Sequence, residues 1–419
     1  CALPICLVAL YGFLYLFLAD PYALVVFTTA IVVACTLGDS FASVVMNIPG
    51  AAGSAATMVD GFPLARQGQG ARALSAAITT STVNGILWGV LVFAFLPFYA
   101  KAVMAFAIPE MLAFIILAFT CVVFVNSEYW FRGIIALAIG VLLGLVGLDP
   151  NTNAARFTLG WDYLNSGIQI APVLAGFLAV PELLEAYKSK IETIRIEAHT
   201  IWQQIRQGIT DSWQHRWTGI KGGAIGAFIG MLPGIGGSIA DWLAYGQTVA
   251  TNKHEAVPFG SGNIKGVIGA EGANNAQKAT AYIPTVLFGI PAAPFEAIIM
   301  SMFMLVGLEL GSPQLLTDMT FFKTLGLSYF TAMIITFAIS LVFIRYAVKI
   351  MNVPFHYYFW PVLALLVWSS VQYTGYWQDY AIFKALMFNA ISGMASVLGG
   401  VLGYVLIGQF ELALPYLLV

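Results

Sequence analysis

Charged residues are scarce in this sequence. Only 9% of the 419 residues are Asp, Glu, Lys or Arg, whereas a soluble domain has roughly a quarter. No stretch has the composition of a sizeable water-exposed domain. The net charge of −2 and the lack of any basic block exclude an electrostatic nucleic-acid binder.

Cysteine is also rare, and its spacing excludes two kinds of site. The four cysteines (Cys1, Cys6, Cys35 and Cys121) lie in apolar segments without CxxC spacing. They therefore predict small buried side chains rather than disulfides or zinc ligands. The Pro- and Gly-rich segment 233–238 lacks the Lys-Ser/Thr that completes a phosphate-binding loop, which argues against a nucleotide-driven pump.

Apolar residues, in contrast, make up 60% of the chain, with a mean hydropathy of +0.86. A helix needs about 20 apolar residues to cross the hydrocarbon core of a bilayer. The sequence therefore predicts a polytopic membrane protein. Its clearest candidate spans are 3–19, 22–37, 73–97, 110–125, 132–148, 166–187, 322–344, 355–374 and 381–408.

Two regions interrupt this pattern with Gly and Pro. One is 38–57, centred on Asn47-Ile48-Pro49-Gly50, and the other is 219–310, with Pro-Gly clusters near Pro233 and Pro291. A broken helix at membrane depth leaves backbone groups unpaired, so it is tolerated only against protein or a watery cavity. Such interruptions in corresponding halves indicate the binding site of a transporter.

The interruptions also resemble each other, because a shift of 242 residues places Ile48-Pro49 on Ile290-Pro291. This match predicts two repeats, 1–187 and 219–419, joined by a linker over 188–218. In the same register, the counterpart of Pro233 would precede Cys1. We therefore expect the first repeat to lack its N-terminal part in this sequence.

Charge placement predicts an orientation. Basic residues in the hydrophilic segment 187–219 favour the cytoplasm, and the Lys- and Arg-poor segment 148–153 then lies in the periplasm. Residues 191–206 have apolar side chains at helical spacing, which predicts an amphipathic helix on the inner membrane face, with a plain linker as the alternative.

Ordered motifs at these places resemble the large membrane subunit of the tripartite tricarboxylate transporter family. They include Met46 to Gly50, Thr57 to Gly68, Gly144 to Pro150, Arg156 to Gly160, Ala179 to Glu182, Leu232 to Gly236, Glu271 to Ala276 and Gly289 to Pro291. The sequence departs from the family pattern at Asp39 and at Ala292, where the family usually has small residues and a Gly, respectively. Both departures lie at the predicted site and bear on the substrate class rather than on the fold.

The resemblance implies a secondary transporter of small carboxylates in the bacterial inner membrane, not an enzyme. Its implied partners are a small four-helix membrane subunit, a periplasmic substrate-binding protein and a second copy of the large subunit. The implied driving force is a sodium or proton gradient, with no other cofactor. The implied fold is all-α, with about 10–12 helices, re-entrant breaks and two inverted repeats, as in elevator-type carriers.

Candidate site residues follow from the breaks and from ionisable residues inside spans. The predicted substrate-binding residues are Asn47, Pro49, Gly50, Gly234, Gly236, Asn274, Asn275, Lys278, Pro291 and Ala292. The predicted cation-coupling residues are Asp39, Asp241 and Glu271, and Glu296 is a further candidate.

Each of these assignments has a structural alternative. The asparagines could only join helices, and Lys278 could extend to the membrane interface. Asp241 and Glu296 could lie at a solvated cavity mouth, and Asp60, Arg66 and Arg72 are predicted to be structural connectors.

Two other classes of membrane protein remain to be weighed. An intramembrane aspartyl protease needs a GxGD motif, which residues 36–39 lack. A simple channel is the second alternative, and the sequence leaves it open.

Overall fold

The computed structural model describes residues 20–47, 53–104, 113, 116, 130–148, 154–160, 164, 201–233, 237–351, 360, 361 and 364. Four predicted spans (3–19, 166–187, 355–374 and 381–408) lie outside these residues wholly or almost wholly, and so does most of 110–125. The described part is almost entirely helical.

The helices, in chain order, are α1 (Pro21–Phe41), α2 (Ala55–Leu64), α3 (Gly70–Val103), α4 (Trp130–Gly144), α5 (Ile201–Gln214), α6 (Arg216–Gly230), α7 (Gly237–Thr251), α8 (Ile264–Tyr282), α9 (Pro294–Leu305), α10 (Pro313–Thr317) and α11 (Met319–Met351). Single π-helical turns cover Ala42–Met46, Ala65–Gln69 and Ile283–Leu287.

Three segments of the described chain are long and apolar enough to cross a membrane. They are Pro21–Val45, Ala55–Lys101 and Met319–Tyr346, and they confirm long apolar helices at the predicted spans 22–37, 73–97 and 322–344. Large apolar side chains on α3 and α11, such as Phe95 and Ile334, point away from the protein. This outward apolar surface is what a lipid-facing helix requires.

The predicted span 132–148 is shorter than expected. Helix α4 ends at Gly144, and Gly147–Leu148 then pairs in antiparallel fashion with Ala155–Arg156. Gly147 has a φ of 131°, a conformation that L side chains rarely adopt. This glycine turns the chain out of the helix before the predicted end of the span.

Helices α1 and α8 begin and end in similar ways. Each has an N-terminal cap whose side chain accepts backbone N–H bonds, Asp20 for α1 and Asn263 for α8. Each then passes into a π-helical turn and leaves it through a left-handed residue, Asn47 (φ 55°) or Gly289 (φ 63°). Both predicted helix breaks are therefore present.

Helices α6 and α8 approach each other so closely that their contact needs glycine. A Cβ atom at Gly222 would lie 2.2 Å from the Gly269 oxygen, and one at Gly226 would lie 2.4 Å from the Ala273 oxygen. From the other side, a Cβ at Gly272 would lie 2.3 Å from the Gly219 oxygen. Small residues let two backbones touch in this way, as is common between membrane helices.

The amphipathic helix predicted in the hydrophilic segment is described from Ile201 onward. It runs over Ile201–Gln214, whereas the part of 191–206 before residue 201 lies outside the described residues. Asp211 forms an ion pair with Arg72 of α3 at 2.6 Å, so α5 packs on α3 rather than being a plain linker. Trp202 and Trp213 remain exposed on its outer side, as expected for an aromatic residue at a membrane interface.

Candidate functional site

The centre of the molecule is a buried helix with an unusually polar face. Almost every residue of α8 is buried, yet it carries Glu271, Asn274, Asn275 and Lys278. Their spacing of three or four residues places them along one side of the helix. The predicted relation between the asparagines and Lys278 is therefore present in the fold.

Glu271 joins three helices through its carboxylate. Its Oε1 accepts hydrogen bonds from the hydroxyls of Ser40 (2.8 Å) at the end of α1 and Thr57 (2.9 Å) at the start of α2. Its Oε2 accepts one from Asn274 Nδ2 at 3.2 Å. The side chain is 0% exposed. Glu271 thus connects the first helix break to the polar face of α8 by three neutral donors.

Asn275 faces α3 and keeps one polar atom without a partner. Its Nδ2 donates to Ser81 Oγ at 3.0 Å, and its backbone oxygen accepts a 3.3 Å bond from the Tyr329 hydroxyl. Its Oδ1 is buried and has no hydrogen-bond partner in the described structure. An amide that only joined helices would be expected to use both ends, so the orphaned oxygen favours a ligand.

Lys278 lies where α8 meets the start of α9. Its ammonium group is 3.8 Å from the centre of the Phe295 ring, and the next residue, Glu296, interacts with it electrostatically. Lys278 is only partly buried, and its ammonium group lies over this aromatic ring. An ammonium held in a protein interior is suited to a carboxylate.

Several other buried side chains of this region also have polar atoms without a hydrogen-bond partner. Both oxygens of Glu296 and both polar atoms of Gln277 have no hydrogen-bond partner within the described part of the chain, and the same is true of one oxygen each of Asp39 and Asp241. Glu296, Asp39 and Asp241 are each 4% exposed. Burial this deep is at odds with the alternative of a solvated cavity mouth for Asp241 and Glu296.

These acids do not form a compact metal centre. No group of three or more His, Cys, Asp or Glu side chains is arranged to hold a metal ion among the residues that the structure describes. A sodium ion at this place would therefore need amide, hydroxyl or backbone oxygens in addition to a carboxylate.

The second break is closed by its own backbone. The N–H of Ile290 donates to the Pro284 oxygen at 3.2 Å, and the N–H of Gly311 donates to the Val286 oxygen at 3.0 Å. Ala292 is fully buried, and its N–H reaches Thr285 Oγ1 at 3.4 Å. Pro291, in the same turn, is partly buried.

The first break is described only in part. Asn47 is exposed and lies at the end of the π-helical turn, so the structure does not place its side chain with the α8 polar face. Pro49, Gly50, Gly234 and Gly236 lie outside the described residues. Their assignment to the site stays a prediction.

Asp60 has the structural role that the sequence predicted for its segment. Its Oδ1 accepts backbone N–H bonds from Gly260 (2.8 Å), Gly262 (3.0 Å) and Asn263 (2.8 Å), and its Oδ2 accepts one from the Tyr245 hydroxyl. This carboxylate therefore fixes α2 to the loop that leads into α8. Arg72 is likewise structural, through its ion pair with Asp211.

A separate cavity of about 230 Å³ lies at the start of α8. It is lined by Arg72, His215, Glu255 and Lys265, among others. Lys265 pairs with Glu255 at 2.6 Å, and Arg72 pairs with Asp211. Burial and the nearby Lys265 lower the pKa of His215, so the imidazole is mainly neutral near pH 7.

Several residues of the polar cluster were not predicted from the sequence. Ser40, Thr57 and Ser81 supply hydroxyl donors, and Gln277 adds a buried amide. Isolated Ser, Thr and Gln residues have no periodic signature in an apolar helix. A search for polar residues within one turn of Glu271 and Asn274 would have found Gln277.

Comparison with known proteins gives consistent matches over nearly the whole chain. The model of the tripartite tricarboxylate transporter TctA family matches residues 3–407. An uncharacterised 52.8 kDa protein of Agrobacterium vitis, from the TAR-I ttuC' 3' region, is 28% identical over 395 residues, which are 93% of this chain and 75% of the relative. An uncharacterised protein from the TAR-II ttuC' 3' region of the same organism is 32% identical over 182 residues, which are 43% of this chain and 69% of the relative. No solved structure matches the chain at a significant level.

Proposed function

We propose a function for this chain from one premise: it belongs to the tripartite tricarboxylate transporter TctA family, whose members are membrane components of multi-subunit transporters. The proposed role is the large, substrate-translocating subunit of a binding-protein-dependent secondary transporter. It would import small organic anions of the dicarboxylate or tricarboxylate type. Its location would be the bacterial inner membrane, as a multi-pass protein.

The polar face of α8 is the observation that carries this proposal. It offers amides from Asn274 and Asn275 and an ammonium from Lys278, inside an apolar helix bundle. Amides and an ammonium are the donors that a carboxylate needs when it leaves water. Broken helices beside them, after α1 and α8, add backbone groups to such a site.

The driving force would be a sodium or proton gradient. Asp39, Asp241 and Glu271 are buried acids close to the proposed anion site. Buried acids inside a membrane protein commonly bind a coupling cation or carry a proton. This arrangement would let cation binding favour anion binding.

The similar beginnings and ends of α1 and α8 support two repeats. Under the shift of 242 residues, the π-helical turn Ala42–Met46 falls within one residue of Ile283–Leu287. We propose inverted repeats over 1–187 and 219–419 with an elevator-like movement. The proposed partners are a small four-helix membrane subunit, a periplasmic substrate-binding protein and a second copy of this chain.

The test is uptake of radiolabelled carboxylates, with citrate and succinate as probes, into proteoliposomes that contain the complete transporter. Asn275→Ala should insert and assemble normally, because a hydrogen bond between membrane helices contributes only about 0.6 kcal/mol on average. Its uptake should fall about tenfold at limiting solute, since a lost hydrogen bond to a charged ligand costs about 1.5–3 kcal/mol. Asn274→Ala should behave in the same way.

Asn252→Ala is the matched control. Asn252 donates to the Thr248 oxygen and to Thr251 Oγ1 at the end of α7, outside the polar face of α8, and its replacement should leave uptake unchanged. Normal uptake by both Asn274→Ala and Asn275→Ala would remove the α8 amides from the site. Absence of carboxylate uptake by the unaltered transporter would contradict the proposed function itself.

A further inference from the structure

Four buried carboxyl groups surround the polar face of α8. They come from different elements: Asp39 from α1, Asp241 from α7, Glu271 from α8 itself and Glu296 from the first turn of α9. Asp39 and Asp241 interact electrostatically with each other and with Glu271. The basic side chain in electrostatic contact with Asp39, Asp241 and Glu296 is Lys278.

The four carboxyl groups differ in how they are satisfied. Glu271 receives hydrogen bonds from Ser40, Thr57 and Asn274, all neutral donors. Glu296 has no side-chain hydrogen bond at either oxygen within the described structure. Buried polar atoms are nearly always paired in proteins, and an unpaired one calls for an ion, a proton or a water.

Glu296 therefore has weaker compensation than Glu271, and the nearby N–H groups of Ala293 and Glu296 at the start of α9 favour its charge only electrostatically. No ion pair within 4 Å joins it to Lys278 among the described residues, although Phe295 holds the ammonium nearby. A buried carboxylate at a distance from its counter-charge is compensated only in part. A small cation or a proton at Glu296 would complete the compensation.

The cluster contains more acidic than basic side chains. When ionised, these four carboxylates outnumber the positive charge that Lys278 supplies among the described side chains, so the buried cluster carries excess negative charge. An organic anion entering this place would raise the uncompensated charge, which an interior of low polarity disfavours strongly. One cation would not be enough to balance the acids already there.

We propose that this cluster binds more than one small monovalent cation, sodium ions or protons, for every organic anion it takes up, and that Glu296 holds one of them. This inference rests on the proposed function for the anion, but the cation count does not require transport. Sodium and protons share the chemistry of a monovalent cation at a carboxylate, and the experiment separates them.

The experiment counts cations on the purified full-length protein in detergent, without any organic acid. One arm measures equilibrium binding of ²²Na⁺ at fixed alkaline pH. The other measures protons taken up when sodium-free protein is moved from alkaline to acidic pH, relative to the variants below. The proposal expects more than one ²²Na⁺ per chain in the first arm, or, in the second, a proton uptake that Glu296→Gln lowers by about one equivalent.

Three variants make the count specific. Glu296→Gln should bind about one cation fewer than the unaltered protein, in whichever arm carries the binding. Lys278→Met should bind about one more, because the acids lose their resident positive charge. Glu309→Gln, a matched change at an exposed loop position, should leave the ²²Na⁺ count unchanged.

Monodispersity in size-exclusion chromatography shows which variants fold. If Glu296→Gln does not fold, the cation count of Lys278→Met still tests the proposal. The proposal would be overturned by one ²²Na⁺ or fewer per chain together with an unchanged proton uptake in Glu296→Gln, or by counts in Glu296→Gln and Lys278→Met that equal those of the unaltered protein in both arms. Cation counts as expected without uptake of citrate or succinate would leave this inference standing and contradict the proposed function instead.

Discussion

The buried acids at the two ends of α8 differ in the hydrogen bonds that their side chains accept. At its N-terminal end, Asp60 accepts four hydrogen bonds, three of them from the backbone that leads into the helix. Toward its C-terminal end, Glu296 accepts none at its side chain within the described residues. Since both carboxyl groups are buried, burial alone does not separate a structural acid from a functional one. The two carboxyl groups differ instead in the hydrogen bonds that their oxygens accept.

Replacement of Asp60 should have the largest effect on stability, because it removes the acceptor of four hydrogen bonds near the N-terminal end of α8. Asp60→Ala leaves the N–H groups of Gly260, Gly262 and Asn263 without their acceptor, and each unsatisfied buried donor costs about 1–3 kcal/mol. We expect most of the protein to be lost from the monodisperse peak in size-exclusion chromatography. Asp241→Ala, the same change at an acid with an unpaired oxygen, should keep most of that peak.

An intact Asp60→Ala protein with an unchanged unfolding temperature would show that the Asp60 hydrogen bonds contribute little to the fold. The comparison between the two ends of α8 would then lose its structural half. Asp60→Asn should lie between the two, because its amide oxygen can still accept the backbone bonds.

Replacement of Gln277, near the C-terminal end of α8, should have an intermediate effect. Both of its polar atoms are buried without partners in the described structure, so Gln277→Leu removes two groups that no contact compensates. The unfolding temperature in detergent should stay the same or rise, while citrate uptake per folded molecule should fall about tenfold, if a ligand uses the amide. Such opposite changes are typical of functional sites.

The control for Gln277 is Gln247→Leu near the C-terminal end of α7. The Gln247 nitrogen donates to Thr251 on its own helix, while its oxygen, like the amide of Gln277, is buried without a partner in the described structure. Because Gln247 is not on the polar face of α8, its loss should leave uptake unchanged. A marked destabilisation by Gln277→Leu would mean that its amide has a structural partner in the folded protein.

Asp318 should give the smallest effect, as a satisfied acid at the surface end of α11. Its carboxylate accepts from the Tyr22 hydroxyl and from the N–H groups of Thr320 and Phe321. The Tyr22 hydrogen bond lowers the pKa of Asp318 below its ordinary value. Because the folded-state pKa is lowered, ionised Asp318 stabilises the folded protein at pH values above the ordinary pKa of aspartate. This contribution is lost as the pH falls through the folded-state pKa.

Asp318→Asn should therefore lower the unfolding temperature by roughly 1–2 °C at pH 7, since the site is largely exposed. The difference from the unaltered protein should shrink below about pH 4, where the ordinary aspartate protonates. Thermal unfolding in detergent over this pH range measures it. A difference that grows at acidic pH would contradict the assigned sign.

The helix breaks and the polar side of α8 were predictable because they are local. Pro and Gly interrupt a helix wherever they occur, and Asn274 and Lys278 are one turn apart by helix geometry alone. The partners of Glu271 were not predictable, because Ser40 and Thr57 lie more than 200 residues away in sequence. The deep burial of Asp241 and Glu296 has the same origin, since it depends on which helices pack together.

The packing of the amphipathic helix on α3 has a different cause. Ile201 and Ile205 belong to both the predicted and the observed helix, but the burial of Gly208 against α3 decides where α5 packs. A Cβ at Gly208 would lie 2.1 Å from Ser75 Oγ. Apolar periodicity does not register a glycine contact, so the sequence pattern did not predict that α5 packs on α3.

The glycine contacts between α6 and α8 restrict how this protein can move. With Gly222, Gly226 and Gly272 seated against backbone atoms, sliding one helix along the other would drive main chain into main chain. Packed interfaces of this kind are not continuously deformable. Helices α6 and α8 must therefore travel as one rigid body in any change of access. The turn at Gly289, where φ is positive, lies outside this contact.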